Sequence, residues 1–131
     1  MKRSFYFFMI MAFLFGCATY ASLKPGNGTK IIFENRTQEE IWDAAQKALK
    51  KNNFWVVESS KEGGMIKAQN DGSGMSYGEI VGIFISKSKI GSNRYIVEII
   101  SKRLVATAFL SPDWERPLIE DMAKILNLPF E

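Results

Sequence analysis

An α+β two-layer sandwich is the fold class this sequence predicts: an antiparallel sheet of four to five strands with two helices on one face. Three observations carry the prediction. Thr37-Gln38-Glu39-Glu40 fits a capping box and precedes apolar residues at helical spacing. Glu79–Ser86 and Arg94–Ser101 are β-rich runs joined by a short polar stretch, as in a pair of antiparallel strands. Leu118, Ile119, Met122, Ile125 and Leu126 again fall at helical spacing. The element order is β-α-β-β-β-β-α.

Residues 1–16 are set apart from that domain. Lys2 and Arg3 precede an apolar block of roughly 11 residues, short of the ~20 that span a bilayer as a helix. A basic start, an apolar core and a small residue at the exit describe an export signal. The chain's single cysteine, Cys17, directly follows Leu14-Phe15-Gly16. This arrangement resembles the bacterial lipobox, although Phe15 is bulkier than the residue usual there. The resemblance implies cleavage before Cys17, a diacylglyceryl group on its thiol and acylation of its new amine. A cut after Ala21, with Thr19 and Ala21 at the small-residue positions, and an uncleaved anchor are the competing readings. One thiol cannot form an intramolecular bridge, so this is not a disulfide-stapled domain.

Residues 17–29 are small, polar and broken by Pro25, Gly26 and Gly28, which predicts a lipidated flexible tether before a domain at 30–131. Lys30–Glu34 reads as the first strand. The helix opened by Thr37 should run to about Lys51, burying Ile41, Ala45, Ala48 and Leu49, with Asn52-Asn53 as its stop. Phe54–Ser59 and Met65–Gln69 read as strands flanking a Gly63-Gly64 turn. The glycine-rich stretch 70–78 lacks the lysine and spacing of a phosphate loop and reads as a hairpin connection. Lys102–Leu110 is compatible with an extended strand or with a further one. Ser111-Pro112-Asp113 signals entry into the last helix, which Pro129 ends.

The run IIFENRTQEEIWDAAQKALKKNNFWVVESSKEGGMIKA, followed by paired strands and Asp113-Trp114-Glu115, resembles a group of small bacterial lipoproteins. Their domains are of helix-grip type, similar in shape to those of the lipoprotein C component of the barrel-assembly machinery. The resemblance covers about residues 30–127 and implies the fold more than any activity. With Ala18 rather than aspartate after the cysteine, it also implies the outer membrane. Anchorage at the inner membrane and a soluble periplasmic protein are the alternatives.

Composition narrows the chemistry. The 131 residues carry a net charge of +3, and Lys2 and Arg3 lie in the leader, so the remainder is close to neutral. Its charges are mixed rather than gathered into the basic patch of a nucleic-acid binder. There is no histidine, which removes the commonest general base and metal ligand. Asp113, Glu115, Glu120 and Asp121 form an acidic cluster that helix-dipole stabilisation and a solvated helix face explain. No catalytic constellation, metal site or cofactor is expected.

The strands offer a different lead. Val81, Ile83 and Ile85 share one face with Tyr95, Val97 and Ile99, while Ile80, Phe84, Ile96 and Ile100 share the other. If both helices cover the first face, the second keeps large apolar side chains. Such a patch marks an interaction site. The expected role is therefore a non-catalytic binding or scaffolding domain, held to the membrane through Cys17 and docking a protein partner or a second copy. The competing readings are a carrier or sensor of a small apolar ligand, and a face covered by the tether or by the 102–110 segment.

Overall fold

The computed structural model describes residues 20–72, 78–91, 93–104 and 113–129. Five strands form one sheet: β1 (Thr29–Glu34), β2 (Trp55–Ser60), β3 (Met65–Gln69), β4 (Glu79–Lys87) and β5 (Arg94–Arg103). Two helices join them, α1 (Gln38–Lys51) between β1 and β2, and α2 (Glu115–Ile125) after β5. The sheet order is β1-β5-β4-β3-β2 and every neighbouring pair is antiparallel. The expected α+β class and element order are those of the structure.

The first two strands thus occupy opposite edges, and α1 carries the chain from one to the other. Five strands at ~4.8 Å spacing place the edges about 19 Å apart. The 14 residues of α1 rise about 21 Å, enough to bridge that span. At its start Thr37 Oγ1 accepts from Glu40 N at 3.1 Å, and the Glu40 carboxylate accepts from Thr37 N at 2.7 Å. The capping box read from the sequence is therefore closed at both bonds.

Both helices stop in the same way. Asn53 and Asn127 adopt φ of 60° and 54°, the left-handed region that asparagine tolerates better than most residues. Asn53 N then donates to Lys50 O and Phe54 N to Leu49 O; Asn127 N donates to Lys124 O and Leu128 N to Ala123 O. This paired pattern satisfies carbonyls that a helix end leaves without partners.

The two helices lie on one face of the sheet. Phe33, Ile66, Val81, Ile83, Val97 and Ile99 point into a core completed by Ile41, Ala45, Leu49, Leu118, Ile119 and Met122. The alternation read in β4 and β5 places Val81, Ile83, Val97 and Ile99 on the expected side. β2 departs from expectation. Phe54 is buried just before it, whereas all six of its residues are exposed, because it lies at an edge beyond the reach of the helices. Among the described residues, no helix is long and apolar enough to cross a membrane.

Candidate functional site

The second face of the sheet, expected to be open, is crossed by the segment Tyr20–Gly28. Its one large aliphatic residue, Leu23, is 1% exposed and packs with Ile80 and Ile100, with Tyr20, Phe84 and Leu104 around them. The seat exists because β4 carries glycine at its centre. A Cβ on Gly82 would lie 2.8 Å from the Phe84 ring and 3.3 Å from Leu23 Cβ. This segment is termed the strap below.

Polar contacts fix the strap at both ends. Glu98 stands on the same apolar face, between Ile96 and Ile100, and is 5% exposed. Its Oε1 accepts from Gly26 N at 2.7 Å and from Gly28 N at 2.8 Å. Gly28 must lack a side chain here, since a Cβ would sit 2.4 Å from Ile99 O. At the other end Lys102 Nζ donates to Ser22 O at 2.8 Å, and Tyr20 donates its hydroxyl hydrogen to Gln69 Oε1. Hydrogen bonds to a charged group contribute about 1.5–3 kcal/mol each, so these contacts suffice to order a short segment.

Two expectations are corrected. Ile80 and Ile100 are not an open docking face: Leu23 buries them, and Phe84 is half-buried beside it. Ile96 is half-buried and pairs with Ile32 of β1, which is 53% exposed, so only this corner of the anticipated surface stays accessible. The stretch taken as a flexible tether is, from Tyr20 onward, part of the packed domain. Leu14, Phe15, Gly16 and Cys17 lie outside the described residues, as do 73–77 of the glycine-rich connection and 105–110 of the ambiguous segment.

The acidic cluster is dispersed into structural roles. Glu115 accepts from Thr29 N and Oγ1 at 3.1 and 2.5 Å and from Ser101 N at 3.1 Å, tying α2 to the edge strand β1 and its neighbour β5. Glu120 pairs with Arg116, and Asp113 Oδ1 accepts from Glu115 N at the helix entrance. Asp121 is buried rather than on the expected solvated face. It accepts from Lys51 Nζ at 2.6 Å and Asn52 Nδ2 at 2.8 Å, joining α2 to the end of α1. Burial alone would raise its pKa. The bonds from Lys51 and Asn52 and the charges of Lys51 and Lys124 outweigh that and hold the carboxyl below its ordinary value.

A separate cavity of about 190 Å³ lies between the end of α1, the start of α2 and the loop after β3. Asn52, Asn53, Asn70, Asp71, Glu79 and Trp114 line it, so amide and carboxylate groups share its wall with an indole ring. Asn70 Oδ1 accepts from Glu79 N and Gly72 N, which shapes the loop rather than leaving the amide for a ligand. Among the described residues, no three acidic, histidine or cysteine side chains gather in a way that could hold a metal ion.

No family model matches the sequence, and no curated protein is significantly similar to it.

Proposed function

We propose that this chain is a lipid-anchored bacterial envelope lipoprotein, held through acylated Cys17, whose domain faces the periplasm and serves as a non-catalytic docking module. The observation that supports it is the lone cysteine directly after Leu14-Phe15-Gly16, behind a basic and apolar leader. The domain reading adds a spatial argument. Tyr20, three positions after Cys17, is already bonded to the sheet. A chain of three residues reaches at most about 11 Å, so the domain would ride on the membrane rather than swing a few nanometres from it. Several acyl chains at ~0.8 kcal/mol per buried methylene make such attachment effectively permanent.

With the strap in place, the described residues leave two apolar surfaces on the sheet. One is the corner formed by Ile32 and Ile96; the other is Trp55, Val56 and Val57 on β2. The outer membrane is the proposed location, following Ala18, and the docked partner is a protein meeting one of these edges.

Intact mass of membrane-extracted protein, beside a Cys17→Ala variant, tests the reading. The expected result is a mass that starts at Cys17 and carries diacylglyceryl and acyl groups. The variant should leave the membrane fraction or accumulate unprocessed. An unmodified mass starting at Ser22 would overturn it.

A further inference from the structure

The two open edges of the sheet are not equivalent with respect to the anchor. Trp55, Gln69, Ile80 and Lys102 face one another in register across β2, β3, β4 and β5, forming one row on the strap side of the sheet. The anchor-proximal end of the strap rests on this row: Tyr20 bonds to Gln69 and Ser22 to Lys102. From there the strap crosses the face toward Glu98 and enters β1. Directly opposed side chains of neighbouring strands have Cβ atoms about 5 Å apart, so Trp55 flanks the point where the chain turns toward Cys17. The Ile32–Ile96 corner lies three to four strands across and six residues along β5 from this row, about 25 Å away.

Trp55, Val56 and Val57 are 42%, 43% and 40% exposed, three consecutive apolar residues on an edge strand. Natural edge strands usually guard such a stretch with charge or cover. A register shift between Val56 and Glu58 interrupts the ladder beside them, and the first charge along the strand is Glu58. Tryptophan is the residue most at home where apolar chains meet polar headgroups.

We propose that the Trp55–Val57 stretch is a lipid-contact surface, seated in the headgroup layer of the leaflet that holds acylated Cys17. The proposal rests on the lipoprotein reading above and deepens it by giving the domain an orientation. The β2 edge of the sheet turns toward the bilayer, and the Ile32–Ile96 corner, at the opposite edge, is left for the protein partner. The headgroup region is about 5–7 Å thick on each side of the hydrocarbon core. A tryptophan beside Tyr20, itself within about 11 Å of Cys17 along the chain, reaches it without unfolding the strap.

The test uses the full mature protein, with its lipidated mass verified, in phosphatidylethanolamine–phosphatidylglycerol vesicles whose acyl chains are brominated near the headgroup. Trp42 is buried in the core and Trp114 packs edge-on against Phe54, so Trp55 is the most exposed of the three indoles. The expected result is quenching of emission relative to unbrominated vesicles, with most of that quenching lost in Trp55→Phe. Lipidated protein whose emission is the same in both vesicles would overturn the orientation while leaving the anchor intact. A blue-shifted Trp55 emission without bromine quenching would also overturn it, because the indole would then be covered by protein. An unlipidated mass would defeat the lipoprotein reading itself, and the orientation with it.

Discussion

Leu23→Ala should destabilise the domain by about 3 kcal/mol, within the ~2–5 kcal/mol typical of emptying a buried leucine site. Leu23 is the aliphatic plug of the strap, at 1% exposure, and its floor is Gly82. Glycine has no side chain with which to fill the space, so the cavity should stay largely open. The loss also loosens the segment that shields Ile80 and Ile100. The variant should therefore unfold at lower urea concentration and bind an environment-sensitive apolar dye that the parent ignores. Lys24→Ala, one position along and exposed, serves as the control and should change stability by no more than ~0.5 kcal/mol.

Gly64→Ala should be at least as damaging. Gly64 ends the turn between β2 and β3 with φ of 65°, and its carbonyl accepts from Ile85 N at 2.6 Å. A Cβ built there would lie 2.0 Å from Ile85 O. The left-handed conformation costs a non-glycine residue about 1–2 kcal/mol. Forcing apart the β3–β4 contact adds about 1–3 kcal/mol by analogy with overpacked cores. Against a total stability of about 5–15 kcal/mol, a large drop in thermal midpoint or outright failure to fold is expected. Gly63→Ala is the informative neighbour. Its Cβ would meet only the rotatable Ser60 hydroxyl at 3.0 Å, so that variant should fold and keep most of its stability. Equal damage from both substitutions would contradict the steric argument.

The helices were the most legible part of the sequence, because their signals are local. Thr37 and Glu40 announce the start of α1 from within one turn and Asn52-Asn53 its stop, whereas the last helix, whose end Pro129 signals, in fact turns off at Asn127. The faces of β4 and β5 were equally legible, since alternation is also local. What the pattern could not convey was order across the sheet. Phe54-Trp55-Val56-Val57 is apolar throughout, and nothing within it says that β2 is an edge.

Cover of the second face by the tether stood only as a competing reading, for a similar reason. Serine, proline and glycine in 22–28 describe a loop, and loop composition does not distinguish a free tether from one laid on a sheet. One clue was present in β5. Glu98 interrupts an otherwise apolar row between Ile96 and Ile100, and a carboxylate buried there demands hydrogen-bond donors. Gly26 and Gly28 supply them from about 70 positions away. Asp121 belongs to the same class: its partners Lys51 and Asn52 lie on another helix, and spacing within α2 gave no sign of them.

The central claim is that the segment following the proposed anchor belongs to the fold rather than hanging free as a tether. Amide hydrogen exchange, resolved by residue in the mature protein, tests it most directly. If the strap is docked, the Gly26 and Gly28 amides exchange slowly, with protection approaching that of the strand amides beneath them, and Glu98→Gln weakens that protection first at these two positions. Exchange of Gly26 and Gly28 at the rate of an unstructured chain, while β4 and β5 remain protected, would contradict it and return residues 20–28 to the role of a free tether.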